Sequence, residues 1–138
     1  MELNTIGLVS ATAAFLSIWW GHVAVRKIEA MSVKLWLPMA AAFTLGVISE
    51  IIAARTENIQ LSAAFGIMGV VFLWDTFEFH RQQKRIKKGH APANPDNPRH
   101  IQILKNYPTA TILDLMARDP RGDKYSEDEI KAIQEGGK

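Results

Sequence analysis

The chain has 138 residues, 48% of them hydrophobic and 22% charged, with a formal net charge of +2 and no cysteine. Without cysteine it can form no disulfide, thiolate metal site or thiol nucleophile. Residues 1–88 carry nine Lys and Arg against six Asp and Glu, and residues 89–138 carry seven against eight. An apolar, basic-edged part therefore precedes a polar tail. Because the basic residues border apolar runs, they read as membrane-surface charge and not as a nucleic-acid patch.

In chain order, residues 5–25 hold no formal charge over 21 positions. At ~1.5 Å per residue that is enough to cross ~30 Å of hydrocarbon. Residues 1–4 have no positive charge, and no convincing small-x-small cleavage site follows, so this reads as an uncleaved span and not a secretory signal. A second span covers residues 35–54, with Pro38 in its first turn, where a missing N–H costs little, and Glu50 as an interruption. A third covers residues 59–79, and the short link at 55–58 forces spans two and three into an antiparallel hairpin.

Charge asymmetry gives an orientation. Arg26, Lys27 and Lys34 lie in the first connection, and Arg81, Lys84, Arg85, Lys87 and Lys88 follow the third span. Arg55 is alone in the second connection, and no Lys or Arg precedes the first span. The positive-inside rule then places the N-terminus outside and the first loop and tail in the cytoplasm, in a cytoplasmic (inner) membrane. Trp19, Trp20, Trp36 and Trp74 fall toward the same basic interface, as an aromatic belt would. Small residues recur four apart on every span: Gly7 and Ala11, Ser17 and Gly21, Ala42 and Gly46, Ser62 and Gly66. This spacing lets helix backbones approach closely in a bundle or an oligomer.

Beyond the spans, Pro92, Pro95 and Pro98 alternate with Asn94 and Asn97, which predicts an extended, polyproline-like linker over residues 89–100. The tail, residues 101–138, is expected to be mostly irregular with short helices near 109–117 and 127–134, Ser126 and Glu129 forming a capping box for the second. A calcium loop starting at Asp119 fails, because Arg121, Lys124 and Ile130 occupy the third, sixth and twelfth positions. So small a tail buries little core of its own and is expected to lie on the membrane surface or on a partner protein. The fold class is all-α: an integral-membrane three-helix bundle with a partly helical tail.

Ionisable groups inside a membrane are costly and point to function by default. The candidates are His22, Glu50, Asp75, Glu78 and His80. Asp75, Glu78, Gln82 and Arg85 recur at three- and four-residue steps, which makes one polar helix face. His22 closes span one at a depth similar to Glu78, so a pair between them is an expectation. The functional reading is a proton-accepting pair or the polar rim of a headgroup or quinone site. The plainer reading, favoured about two to one at interfacial depth, is a pair that fixes helix packing. Glu50 lies deeper, a lone intramembrane acid. His22 and His80 as axial haem ligands are a weaker reading, because His80 stands at the solvent boundary beside Arg81. No metal site, cofactor or catalytic signature is expected.

Several motifs together resemble a family of small prokaryotic three-pass membrane proteins of unknown function. They are Gly21-His22 with Lys27 and Glu29, then Val33-Lys34-x-Trp36, then Leu61-Ser62-x-x-x-Gly66-x-x-Gly69. The most specific runs from Leu73-Trp74 through Glu78, Gln82, Arg85 and Lys87-Lys88-Gly89 to Pro92-x-Asn94-Pro95. The resemblance covers residues 22–95, and its members end soon after the proline segment. Val23, Phe77 and His90 stand where the family has proline, histidine and tryptophan, and the missing histidine at Phe77 weakens any metal or haem role. The resemblance implies three spans and draws attention to His22 and Glu78, but it implies no activity.

The sequence thus leads to an expectation of a non-enzymatic accessory or scaffold subunit of a larger membrane complex, in contact with anionic lipid headgroups and with other subunits or further copies of itself. The alternatives are a small proton- or ion-conducting oligomer using the intramembrane acids, and a lipid- or quinone-binding module at the basic interface.

Overall fold

A computed structural model describes residues 4–114 together with 128, 130 and 131. Among the described residues the chain is all-helical, with α1 at Thr5–Met31, α2 at Trp36–Arg55, α3 at Ile59–Lys87 and α4 at Pro98–Asn106. The first three are long and apolar enough to cross a membrane, which makes this a membrane protein. Asn4 caps α1 by accepting from the Gly7 N–H at 2.9 Å. Asn58 caps α3 by accepting from Gln60 and Leu61 at 3.0 and 3.1 Å. Both caps satisfy donors that a helix start leaves open.

The lengths are unequal, and this positions everything that follows. α2, at 20 residues, is about 30 Å long and matches the hydrocarbon. α1 has 27 residues and α3 has 29, so each runs on past its apolar span by several residues at the basic end. The two helices form a stem there, and the buried positions of α1 (Gly21, Val25 and Glu29) all lie toward it.

α3 is the central helix. It packs along both α2 and α1, while α1 and α2 share little. All three converge around Phe79, which forms a buried cluster with Val25 of α1 and Ala42 of α2. At the opposite end Gln60 donates to Thr5 Oγ1 at 2.7 Å, tying α3 to α1. Lipid supplies no hydrophobic drive between helices, so close packing of small residues must hold them together. On α2 the buried stripe is Ala42, Gly46 and Ser49. A Cβ at Gly46 would stand 2.7 Å from Leu73 Cγ and 3.0 Å from the Leu73 backbone N, so the two backbones nearly touch. Ser62 Oγ adds a bond to the Ala53 carbonyl at 2.8 Å. Gly7 and Ala11, the pair at the start of α1, are exposed.

The region after α3 departs from the extended linker expected over residues 89–100. Gly89, at φ 74°, ends α3 in a Schellman turn, with His90 N–H bonded to the Arg85 carbonyl and Gly89 N–H to that of Ile86. The chain then folds back onto the stem. Ala91 and Ala93 are buried with Ile86 and Ile103 in a second small core, against which Leu104 and Ala110 pack. Asn97 caps α4, accepting from the Arg99 N–H at 2.9 Å, and Pro98 takes the first helical position. The prolines therefore shape a folded segment, because the asparagines between them bond to other parts of the protein. Residues 109–114 are turn and irregular chain instead of the helix expected over 109–117, whose remainder lies outside the described residues. Of the helix expected at 127–134, Asp128, Ile130 and Lys131 are helical and the rest lies outside them.

Gly46→Ala should lower the stability of the membrane domain by about 1–3 kcal/mol through overpacking against Leu73. Gly66→Ala, whose new methyl would meet only Ala53 Cβ at 3.8 Å, should be close to neutral. Thermal melting of the two variants in detergent compares them directly.

Candidate functional site

The polar face of α3 is assembled around Arg85. Its Nη2 pairs with Glu78 Oε1, and its Nη1 donates to Gln82 Oε1 at 2.8 Å. Arg81 Nε lies 3.5 Å from Glu78 Oε2, and the Arg81 guanidinium sits 5.8 Å from the centre of the Trp74 ring. Glu78 and Gln82 are buried. Steps of three and four residues along one helix bring these groups within reach of one another, as the sequence spacing predicts.

The other candidates are placed differently. No bond joins His22 to Glu78. His22 is exposed, and its ring Nδ1 donates to the Ile18 carbonyl of its own helix at 2.9 Å. Asp75 packs where α1 has no side chain: a Cβ at Gly21 would stand 2.8 Å from Asp75 Oδ2. There Asp75 lies within electrostatic reach of both His22 and Glu78. Glu50 is separate from this group. Its carboxyl lies over Gly69 of α3, with Oε1 2.5 Å from where a Cβ would be, and that oxygen is buried with no hydrogen-bond partner among the described residues. His80 is exposed. Among the described residues no group of three His, Cys, Asp or Glu side chains is arranged to hold a metal ion.

The most completely buried polar cluster lies on the stem, and sequence reasoning did not find it. Glu29 of α1 and His100 of α4 are both 0% exposed. Arg99 Nη1 pairs with Glu29 Oε1 at 2.8 Å, and His100 Nε2 lies 3.3 Å from the same oxygen. The Asn94 N–H donates to His100 Nδ1 at 2.8 Å. Nδ1 must then be the bare nitrogen, and a neutral ring carries its proton on Nε2, facing the carboxylate. Glu29 Oε2 is buried with no hydrogen-bond partner among the described residues, so Oε1 carries the pairing.

Around this pair the same segment closes the end of α1. Of its last four carbonyls, those of Ile28 and Glu29 accept from the Ser32 N–H, those of Ala30 and Met31 have no donor from the helix, and its last turn contains no basic residue. Asn94 Nδ2 donates to the Ala30 carbonyl at 3.0 Å. Asn97 Nδ2 donates to those of Ala30 and Ser32 at 2.9 and 3.1 Å. Arg99 donates through Nη2 to the Glu29 carbonyl at 2.6 Å and through Nε to that of Ser32 at 3.0 Å. Its positive charge also suits the negative end of the helix dipole. The signal available in the sequence was the doubled Asn-Pro of Asn94-Pro95 and Asn97-Pro98. Asn before Pro is a helix cap followed by a first-turn proline, yet nothing local shows that both amides reach residue 30.

Three apolar helices, two of them running on as a stem that the following segment clasps, define a small membrane protein with a polar lock just outside its spans. Residues 4–97 match the family model described as a domain of unknown function (DUF4491), and the chain belongs to that family. No curated protein and no solved structure matches the chain. The match includes Glu29, Asn94 and Asn97 and stops before Arg99 and His100.

Arg99→Ala should cost about 3–5 kcal/mol in the stability of the stem, because it leaves the Glu29 carboxylate buried without its counter-charge. Asn97→Ala should cost about 0.5–2 kcal/mol, because it removes the cap of α4, while the Ala30 and Ser32 carbonyls keep Asn94 and Arg99 as donors. Hydrogen exchange is the check: protection over residues 91–104 should fall in both variants, more in the first, with the spans unchanged.

Proposed function

We propose that the chain is a non-enzymatic accessory or scaffold subunit of a larger complex in the cytoplasmic membrane, with the N-terminus outside and the stem and tail in the cytoplasm. The observation that carries this reading is how the polar groups at the basic end are used. Glu78 is engaged by Arg81 and Arg85, and Gln82 by Arg85. Glu29 is engaged by Arg99 and His100. Groups paired in this way fix a shape and are not free to attack a substrate or cycle protons.

Two further features support it. The row α1–α3–α2 leaves broad apolar faces open, on which neighbouring membrane helices or a second copy would pack. The basic residues beside the spans favour the cytoplasmic leaflet and its anionic headgroups, to which Arg81, Lys84 and Lys88 would offer charge. Native mass measurement of the full chain extracted in mild detergent or lipid discs tests the reading. A mass above that of one chain, from further copies or a stoichiometric partner, is the expected result. A lone monomer under all conditions would overturn it.

Glu50 favours a second reading, a small proton- or ion-conducting oligomer. A carboxyl oxygen buried at membrane depth with no hydrogen-bond partner among the described residues is costly to keep there and points to function by default. If the first reading is right, proton flux into liposomes carrying the protein should match empty liposomes. Flux above that background that is lost in Glu50→Gln would favour the second.

A further inference from the structure

After α4 the chain does not continue away from the membrane. Tyr107 lies under Lys87, whose Nζ is 4.9 Å from the ring centre, and Thr109 Oγ1 donates to the Lys87 carbonyl at 2.7 Å. The Thr109 carbonyl fills the space where a Cβ on Gly89 would stand, which fixes residue 109 against the end of α3. The Thr111 carbonyl then accepts from the Ala93 N–H at 2.8 Å. Three residues further on, Asp114 Oδ2 is 3.7 Å from Arg26 Nη2.

The last contact sets a depth. Arg26 is the first formally charged residue after the charge-free run of residues 5–25 and lies five positions before the end of α1. At ~1.5 Å per residue it sits roughly 7–8 Å closer to the hydrocarbon than that end does, at the boundary where the apolar span gives way to headgroups. Residues 107–114 therefore descend the stem from the tip of α3 to the membrane boundary. Immediately before Asp114 stand two apolar side chains with substantial exposure, Ile112 at 43% and Leu113 at 36%.

We propose that residues 112–114 form a membrane contact: Ile112 and Leu113 enter the headgroup region of the bilayer that holds the three spans, and the Arg26–Asp114 pair marks the level at which they do so. The occupant of this apolar surface is lipid. An exposed ion pair of this kind contributes little stability by itself, so entry of the two side chains is driven by removing apolar surface from water. The consequence is that the rest of the tail starts from the membrane surface, beside α1, and not from the tip of the stem. This inference does not depend on whether the chain is a scaffold.

The absence of cysteine allows unique labelling. Single-cysteine variants Ile112→Cys, Leu113→Cys and, as a control on exposed α4 surface, Gln102→Cys would carry an environment-sensitive fluorophore on the full chain. The protein would be reconstituted in vesicles of phosphatidylcholine with a minority of phosphatidylglycerol, with and without bromine on the acyl chains. Brominated lipid should quench the probes at 112 and 113 at least about twofold more than the probe at 102, and aqueous iodide should show the reverse order, as for a segment lying in the interface. Probes at 112 and 113 as accessible to iodide as the one at 102 would overturn the proposal. So would protection from both quenchers, since a second copy of the chain would then cover the surface in place of lipid.

Discussion

An α-helix that leaves the membrane brings with it a set of carbonyls that lack donors and a partial negative charge at its end. Meeting that requirement at the end of α1 organises the rest of this protein. α1 has no basic residue in its last turn and stops at Met31 without a glycine cap. Ser32 serves the Ile28 and Glu29 carbonyls locally, and the further donors come from a segment more than sixty residues away, through the amides of Asn94 and Asn97 and the guanidinium of Arg99. Once they are in place, Glu29 is sealed beneath Arg99 and His100, α4 has its cap, and Ala91, Ala93 and Ile103 close over Ile86. Two polar tasks, ending one helix and starting another, fall to the same few side chains.

The acids of the protein fall into three environments. Glu78, near the basic end of α3, is within reach of two arginines on the next turns and forms ion pairs with both. Glu29, outside the apolar run but fully enclosed, has its arginine brought from another element. Glu50, between α2 and α3, has a carboxyl oxygen without a hydrogen-bond partner among the described residues and rests on the bare backbone of Gly69. The order follows the cost of charge: pairing is nearly free where arginine side chains can snorkel toward the interface, needs a dedicated partner where water is shut out by protein, and is missing at membrane depth.

The parts of the fold governed by local rules were legible in the sequence. Long apolar runs with few charges marked the three spans, and helical spacing placed Glu78, Gln82 and Arg85 on one face because residues three and four apart must meet. What depends on distant partners was not legible. The proline run at Pro92, Pro95 and Pro98 reads as extended when only backbone donors are considered, and it folds because Asn94 and Asn97 find carbonyls on α1. His22 and Glu78 share a depth, but depth says nothing about rotation around two helix axes, and His22 bonds to its own helix instead. Glu29 gave no local sign of burial, since its charge partner lies seventy positions later, beyond the segment that matches the family.

The separation of Glu29 from Arg99 also sets an order of events in synthesis. At roughly 5–20 residues per second, the ~70 residues between them take about 4–14 s to emerge. During that interval α1 has its full length but an open end, while α2 and α3 are being synthesised. The lock becomes available only after all three membrane helices have been synthesised, and the contacts of Thr109, Thr111 and Asp114 come after it.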